Sequence, residues 1–419
     1  MEKRGRRIVW YGDGPDTNSG FGTVTREILK GLETRGWRIQ SVFGINSPGV
    51  QNNNFGYPIY SAQAPYNYGI PDHDPYGRVR FLEHLQRGGN FDVLVMLQDS
   101  FTLNHIMDMK DNDSGEMRQV PFVQIATEIA RKKGAKTVVY FPIDATPWGD
   151  WFSGLDAADK LVTYTDWGIR EIEAVYPPLS GQLSRVYHGA EPKFFAETKP
   201  KMSKTELKER WIKDHKDRFI CLWVGANQRR KRLDLVLKTF RHFLDNYEKN
   251  ATLILRTAVQ SPQYGWDLHR LIALYELTPD QVIMVGQDIS REGLRELYHL
   301  SDAFLYPSME GWGLTVTEAM ASRLPCVLAD HSSLSEIGRG RAWMVPMDKG
   351  NPYTVMPQDN EVRRLNWDCK EAARLLNNVK ENPQMAQMQA ERAFQWCEEN
   401  SWDVICEQWD DLLRDVLFQ

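Results

Sequence analysis

Short apolar runs alternate with amphipathic stretches along the whole chain. Apolar runs of about four to eight residues are typical of buried strands, whereas the stretches between them repeat their apolar residues at helical spacing. A helix is predicted over 23–35. This alternation predicts parallel, doubly wound sheets of the α/β class. The predicted strands are 7–11, 38–43, 92–97, 136–141 and 160–164, followed by 219–224, 252–256, 281–285, 303–306 and 326–329.

The stretch 198–204 near the middle of the chain is polar and charged, contains a proline, and is the best candidate for an interdomain linker. A chain of 419 residues is too long for one typical core. We therefore predict two Rossmann-like domains, 1–198 and 199–401, and an amphipathic terminal helix over 402–419. Residues 44–74 are rich in Asn, Gly, Pro and Tyr without clear periodicity, which predicts loops that help to shape a binding cleft.

Composition narrows the class of protein. The net charge is −5 and the basic residues are dispersed, so the sequence gives no support for a nucleic-acid partner, although it does not exclude one. The basic start of the chain is not followed by the apolar core of a secretory signal, so no signal peptide is predicted. The sequence contains no run of about 18 apolar residues, so no membrane span is predicted either. The five cysteines form no CxxC pair, which predicts buried thiols in a reducing compartment. We expect a soluble, cytoplasmic protein.

The segment 308–320, SMEGWGLTVTEAM, carries the most informative chemical pattern. It follows a predicted strand, so the order is strand, glycine turn and helix, with Glu310 on the turn and Glu318 inside the helix. A helix N-terminus suits a phosphate because its N–H groups are free and its dipole is positive there. The two carboxylates can then accept hydrogen bonds from hydroxyls, as a sugar nucleotide requires. A solvated acid would account for either glutamate alone, but not for the glycines, the Trp and the context together.

The loop 12–23 follows the first predicted strand, where open α/β sheets bind ligands. It is too long for the GxGxxG turn of a nicotinamide site, which disfavours a dehydrogenase. Gly20 and Gly22 are predicted to bring backbone N–H groups close to a ligand. A flexible crossover loop is the alternative interpretation.

A basic run, 229–232, follows the first predicted strand of the second half. Such runs are usually solvated. At the carboxyl end of a sheet strand, however, Arg230 and Lys231 can neutralise a diphosphate leaving group. Asp144 follows a strand of the first half, so it is predicted to face any cleft between the domains. A helix cap or turn residue is an equally good interpretation.

Together these residues resemble the retaining glycosyltransferases of the GT-B fold, specifically the large family 4 type. Segment 310–320 is similar to the E-x7-E element of that family, and Gly225 with Arg230, Lys231 and Asp234 resembles its phosphate-binding loop. The resemblance covers nearly all of the second half and is looser in the first. Further similar segments are 187–190, 302–308, 323–327 and 332–337.

The resemblance implies a hexosyl- or related glycosyltransferase of the EC 2.4 class. It would move a sugar from a UDP- or GDP-linked donor to an acceptor hydroxyl with retention, and without a metal or a cofactor. The second domain would bind the donor and the first the acceptor, with helix 402–419 crossing back onto the first domain through Trp402; an ordinary core helix is the alternative. The acceptor stays open among a glycan, a lipid-linked sugar, a protein and a modified nucleic-acid base.

The resemblance also assigns roles to residues. Glu310 would contact hydroxyls of the transferred sugar and Glu318 the ribose, while Arg230 and Lys231 would hold the diphosphate with the amides of Gly313 and Leu314. Asp144 stands where the family commonly has a His. The predicted catalytic residues are Glu310, Asp144, Arg230 and Lys231, and the predicted donor-binding residues are Gly20, Gly22, Gly225, Asn227, Arg230, Lys231, Glu310, Gly311, Trp312, Gly313, Leu314, Thr315 and Glu318.

Two alternative functions stay open on the sequence. A GT-B-like sugar-nucleotide epimerase would release free nucleotide without any acceptor. A non-catalytic protein that binds a sugar or nucleotide would show no turnover. A phosphorylase would need a pyridoxal lysine site, which the sequence does not reveal.

Overall fold

The computed structural model describes residues 6–49, 54–63, 74–110, 116–258, 265–286 and 288–418. Contacts divide the chain into two compact units. The unit boundary after His188 lies N-terminal to the linker predicted at 198–204. The first unit comprises Met1–Ile143, Pro147–His188 and Trp402–Gln419, and the second comprises Asp144–Thr146 and Gly189–Ser401.

A parallel sheet forms the core of the first unit. Its strands are connected by helices and short 3₁₀ turns, and one antiparallel strand pair, β5 with β6, stands apart from it. The strands are β1 (Arg7–Asp13), β2 (Arg38–Ile45), β3 (Ile59–Ser61), β4 (Val93–Leu97), β5 (Ile106–Lys110), β6 (Met117–Pro121), β7 (Lys136–Phe141), β8 (Lys160–Thr163) and β9 (Leu183–Arg185). The helices are α1 (Gly20–Thr34), α2 (Arg78–Arg87), α3 (Ser100–Leu103), α4 (Phe122–Lys132) and α5 (Asp166–Val175).

The strands of this sheet lie in the order β3-β2-β1-β4-β7-β8-β9, and neighbouring strands are parallel. Central strands such as β4 are buried along their whole length, as expected when helices cover both faces of a parallel sheet. The order reverses between β1 and β4, which makes that junction the switch point of the sheet.

A second parallel sheet forms the core of the second unit, with an antiparallel pair, β16 and β17, beside it. The strands are β10 (Phe219–Val224), β11 (Ala251–Arg256), β12 (Val282–Val285), β13 (Ala303–Tyr306), β14 (Cys326–Ala329), β15 (Trp343–Val345), β16 (Tyr353–Met356) and β17 (Val362–Leu365). The helices are α6 (Pro192–Phe195), α7 (Lys204–Ile212), α8 (Leu233–Asn246), α9 (Leu268–Leu274), α10 (Arg291–Leu300), α11 (Leu314–Ala321), α12 (Ser332–Gly338), α13 (Cys369–Glu381) and α14 (Pro383–Glu399).

The second sheet has the order β12-β11-β10-β13-β14-β15, and all its neighbouring strands are parallel. The order reverses between β10 and β13. In open α/β sheets, ligands bind outside the carboxyl ends of the strands at such a switch point. The residues that follow β10 and β13 are therefore the ones to inspect for function. The prediction of an α/β protein with two parallel sheets is confirmed.

Every strand predicted from an apolar run is present. The strands that the pattern missed are short or polar: β9 is the tripeptide Leu183–Arg185, and β16 is largely exposed. Segment 44–74 was predicted as loops but contains β3; the part of this prediction that falls on 50–53 and 64–73 lies outside the described residues.

Helix α1 begins at Gly20, earlier than the predicted start at residue 23. The side chain of Ser19 caps the helix by accepting a hydrogen bond from the amide of Gly22 at 2.9 Å. Gly20 and Gly22 therefore lie in the first turn of a helix and not in the loop in which they were predicted. The cap, which has no apolar signature, fixes the start of the helix.

The terminal helix, α15 (Trp402–Phe418), belongs to the first unit, where it packs against α1. Trp409 is completely buried, with its ring edge-on to Tyr140 at 4.8 Å between ring centroids. The indole N–H of Trp37 donates to Asp410 at 2.7 Å. Trp402 is also buried, and its ring stacks on that of His188 with 27° between the ring planes. Among the described helices, none is long and apolar enough to cross a membrane.

Replacing Trp409 with Ala is predicted to destabilise the first unit by about 3–5 kcal/mol, because it removes a fully buried aromatic side chain and leaves a cavity. Phe418→Ala on the same helix is the matched control, because that ring is 79% exposed. The control should cost less than about 1 kcal/mol. Urea unfolding followed by circular dichroism measures both. Equal losses for the two variants would contradict the packing role of α15.

Candidate functional site

A buried ion pair lies at the switch point of the second sheet. The chain leaves β10, passes through a 3₁₀ turn at Arg229–Lys231, and brings the ammonium of Lys231 to the carboxylate of Glu310, which follows β13. The Nζ atom lies 2.5 and 2.6 Å from the two carboxylate oxygens. The hydroxyl of Tyr306 donates to the same carboxylate at 2.9 Å. Both charged side chains are about nine-tenths buried.

The two charges of this pair stabilise each other. Burial alone would raise the pKa of Glu310, but the positive charges of Lys231 and Arg230 outweigh it and hold that pKa below its usual value. Burial and the neighbouring Arg230 lower the pKa of Lys231 to about 8. Both groups are therefore charged at neutral pH.

Asp144 belongs to the second unit and joins the same charge cluster. Its carboxylate accepts hydrogen bonds from Arg230 at 3.0 Å and from Arg364 at 3.3 Å. Arg364 also donates to the main-chain oxygen of Asp144 and, at 2.6 Å, to Asp359. Burial would raise the pKa of Asp144, but Arg364 and Arg230 outweigh it and lower the pKa.

The cluster contains as many cations as carboxylates: Arg230, Lys231 and Arg364 face Asp144, Glu310 and Asp359. Buried charges need such partners, because an unpaired charge in the interior carries a large desolvation penalty. An anion that binds Arg230 or Lys231 therefore competes with Asp144 or Glu310 for the same donors. The structure brings together all four residues that were predicted to be catalytic.

Arg364 is a member of this cluster that the sequence reasoning missed. It lies on β17, in a polar strand pair with no apolar run to mark it. A signal was present, however: in the strand sequence VRRL, Arg364 shares a face with Val362, and both side chains are buried. A charged residue in phase with a buried apolar one indicates an inward-facing charge.

The glycine turn after β13 ends in a left-handed residue. Gly313 has φ +98°, which favours glycine, and it precedes the first residue of α11. Gly311, Trp312, Leu314 and Thr315 lie in this turn and in the first turn of the helix. Because Gly313 has no side chain to cap the helix, the first-turn amides of α11 remain suited to an anion.

Serines at the start of α12 hold this turn in place. The hydroxyl of Ser333 donates to the main-chain oxygens of Glu310 and Trp312, at 2.8 and 2.9 Å. The amide of Glu310 donates to the hydroxyl of Ser332 at 3.2 Å. The ring of Trp312 packs nearly parallel to that of Trp396. The segment 332–337, singled out in the sequence, thus fixes the backbone around Glu310.

Glu318 has a different environment from that of Glu310. It is half-buried in α11 and accepts a hydrogen bond from the hydroxyl of Tyr298 at 2.8 Å. Burial raises the pKa of Glu318 to about 7, and the negative charge of Glu191 adds to the effect. The two carboxylates of the motif therefore have pKa values shifted in opposite directions.

Other predicted donor-binding residues have partners within their own unit. Both ends of the Asn227 side-chain amide are hydrogen-bonded to the main chain of Trp266, each at 2.9 Å, so this side chain fixes a loop. The amide of Gly22 is bound to Ser19, and a Cβ atom at Gly22 would lie 2.0 Å from the hydroxyl of Thr17. A Cβ at Gly225 would meet the ring of Trp223 at 2.8 Å. Asn227 and Gly22 thus use these groups within the protein, and their predicted contacts with a donor stay a prediction.

Two further features of the chain bear on its chemistry. Among the described residues, no group of three or more His, Cys, Asp and Glu side chains is arranged to hold a metal ion. All five cysteines are buried and free.

Comparison with known proteins gives this geometry a context. Residues 203–341 match the family described as Glycosyl transferases group 1. The matched segment contains Lys231, Glu310 and Glu318. No curated protein matches the sequence at a significant level.

Solved structures match the fold over nearly the whole chain. Sucrose-phosphate synthase from Thermosynechococcus elongatus has a TM-score of 0.70 at 16% identity, covering 98% of this chain and 99% of that one. Anabaena Alr3699/HepE in complex with UDP-glucose has a TM-score of 0.67 at 14% identity, with the same two coverages. A glycosyltransferase from Rickettsia africae has a TM-score of 0.69 at 12% identity and covers 99% of both chains. The chain therefore has the GT-B fold of glycosyltransferase structures.

The raised pKa of Glu318 predicts a distinct pH dependence of stability. Its folded pKa of about 7 exceeds the value of 4.5 expected when unfolded, so the folded state binds more protons between these values. Its contribution to stability is fully present below about pH 4.5 and is lost as the pH rises through about 7. Thermal melts of Glu318→Gln should show less loss of stability over this range than the wild type. The control is Glu399→Gln, an exposed glutamate on α14. Identical pH slopes for Glu318→Gln and the wild type would contradict the assignment.

Proposed function

We propose that this protein is a retaining glycosyltransferase of the family 4 type, which moves a hexosyl or related sugar from a UDP- or GDP-linked donor to an acceptor hydroxyl without a metal. The observation that carries the proposal is the buried pair of Lys231 and Glu310 at the switch point of the second sheet, beside the N-terminus of α11. The family match over 203–341 contains this pair. The Anabaena structure is a complex with UDP-glucose, which supports a nucleotide-sugar donor here.

The positive groups of the site favour departure of the nucleoside diphosphate. Arg230 and Lys231 neutralise the negative charge that builds up on the leaving phosphate, and the first-turn amides of α11 add oriented N–H donors. As the diphosphate takes over the ammonium of Lys231, the carboxylate of Glu310 becomes available to the hydroxyls of the sugar. Glu310 thus orients the sugar and does not attack it.

Transfer with retention follows from attack on the face that the diphosphate leaves. The bond between the anomeric carbon and the phosphate oxygen breaks, and a bond from the anomeric carbon to the acceptor oxygen forms on the same face. The proton of the acceptor hydroxyl passes to the departing phosphate. Asp144, kept ionised by Arg364 and Arg230, accepts a hydrogen bond from the acceptor or the transferred sugar.

Glu318 has the ribose of the donor as its partner in this proposal. Its spacing from Glu310 follows the E-x7-E element, and α11 carries its side chain one turn beyond the anion-binding end of the helix. The buried free thiols fit a reducing compartment, and we place the reaction in the cytoplasm.

Donor binding is tested by thermal stabilisation with a panel of nucleotide sugars. A ligand at 100 times its Kd stabilises the folded state by about 2.7 kcal/mol. UDP- or GDP-linked sugars should raise the melting temperature of the wild type. The shift should disappear in Lys231→Met, measured against the ligand-free melting temperature of that variant. Lys201→Met, which alters an exposed ion pair, should keep the full shift. A panel without any stabilising member would contradict the proposal.

Turnover tests the role of Glu310. With a glycan, a lipid-linked sugar, a protein and a modified nucleic acid offered as acceptors, Glu310→Ala should lower kcat by about 100-fold, because the sugar loses its orientation. Glu399→Ala should keep the wild-type rate, and a chelator should leave that rate unchanged. An intact rate in Glu310→Ala would remove Glu310 from the mechanism.

The same assays distinguish the two alternative functions. Release of free nucleotide without acceptor, accompanied by an epimerised sugar, would support the epimerase. Donor binding with neither transfer nor hydrolysis would support a binding protein.

A further inference from the structure

Arg364 is the most deeply buried cation of the charge cluster. Its side chain is 2% exposed, although it lies on a strand whose next residue toward the N-terminus, Arg363, is exposed with its guanidinium over the ring of Tyr353. A guanidinium cannot be deprotonated in a protein, so burial requires anionic or carbonyl partners on several sides. The partners of Arg364 therefore indicate why the chain buries it.

The planar guanidinium of Arg364, whose three nitrogens form a fork of hydrogen-bond donors, binds two separate segments of the chain. Nε donates to the carboxylate of Asp359, in the loop between β16 and β17. The two terminal nitrogens donate to Asp144, one to its main-chain oxygen and the other to carboxylate oxygen Oδ1. The other carboxylate oxygen of Asp144, Oδ2, accepts from Arg230. Both the backbone and the carboxylate plane of Asp144 are thereby fixed, which the single ammonium of a lysine cannot do.

We propose that Arg364 is a positioning residue that acts through Asp144: its fork orients the Asp144 carboxylate as a hydrogen-bond acceptor for a substrate hydroxyl. The proposal rests on the proposed function, which gives Asp144 either the acceptor or the transferred sugar as its partner; here the partner is the hydroxyl of the acceptor, which is not part of the donor. Arg364 does not touch substrate in this scheme. The strand pair β16–β17 then serves to present this one side chain to the site.

The electrostatic surroundings of Asp144 agree with this role. The charged groups that interact with it are Arg364 from β17, Arg230 and Lys231 from the 3₁₀ turn, and the carboxylate of Glu310. Asp359 is bound to the other side of Arg364. Among the positive charges, that of Arg364 lowers the pKa of Asp144 most. Loss of Arg364 therefore raises this pKa, so the carboxylate becomes protonated at a higher pH.

Kinetic constants separate this role from a merely structural one. The described hydrogen bonds of Arg364 go to Asp144 and Asp359 and not to Lys231 or Glu310. Arg364→Ala should therefore lower kcat by about 100-fold, while KM for the donor stays within about twofold. The acid limb of the pH–rate profile should move to higher pH. Arg364→Lys keeps the charge but not the fork, so it should keep the position of the acid limb and recover kcat only in part. The matched control, Arg363→Ala, should behave as the wild type.

A double-mutant cycle with Asp144→Asn supplies a readout that needs no activity. If Arg364 acts through Asp144, the loss of melting temperature in the double variant is smaller than the sum of the two single losses. Additive losses overturn the proposal, as does an Arg364→Ala variant with the wild-type kcat and acid limb, or one that loses donor binding in step with kcat. If the wild type turns over no nucleotide sugar, the proposed function fails by itself, and the cycle still decides whether Arg364 holds Asp144.

Discussion

The buried ion pair between Lys231 and Glu310 is the interaction on which the site depends. Both charged side chains are about nine-tenths buried, and two such charges are stable only if each neutralises the other. The order of the sheet lets the two residues meet, because the strands that precede them, β10 and β13, are neighbours at the switch point. The same requirement extends outward to Arg230, Arg364 and Asp144. In the proposed function, an incoming phosphate replaces a carboxylate as the partner of Lys231 or Arg230, so that no buried cation is left unpaired.

Backbone geometry sets the position of this pair. The left-handed Gly313 starts α11 at the point where the chain leaves Glu310, and the hydroxyl of Ser333 ties that turn to the next helix. One short segment thus supplies an ionised carboxylate, a helix start that no side chain caps and, at Glu318, a carboxylate with a pKa of about 7. Neighbouring carboxylates with pKa values pushed apart are typical of sites in which the two groups have different roles.

The sequence predicts the framework well, because a fully buried parallel strand needs an unbroken apolar run, and β4, β10 and β13 all have one. It also predicts that Lys231 and Glu310 each follow a strand of the second half and that both bind the donor, but it does not predict that they pair with each other. It does not predict the pairing of Asp144 with Arg364, because these residues are 220 positions apart and Arg364 lies in a polar strand. Nor does it reveal that the amides of Gly22 and Asn227 are used within the protein. Such contacts depend on tertiary geometry that leaves no periodic signal in the chain.

The most direct test of the central claim is a crystal structure of the protein with a nucleoside diphosphate bound. The account predicts that the phosphates lie against Lys231, Arg230 and the first turn of α11, with the carboxylate of Glu310 released from the ammonium of Lys231. A diphosphate bound elsewhere on the chain, or one bound while the Lys231–Glu310 pair keeps its ligand-free geometry, would contradict it.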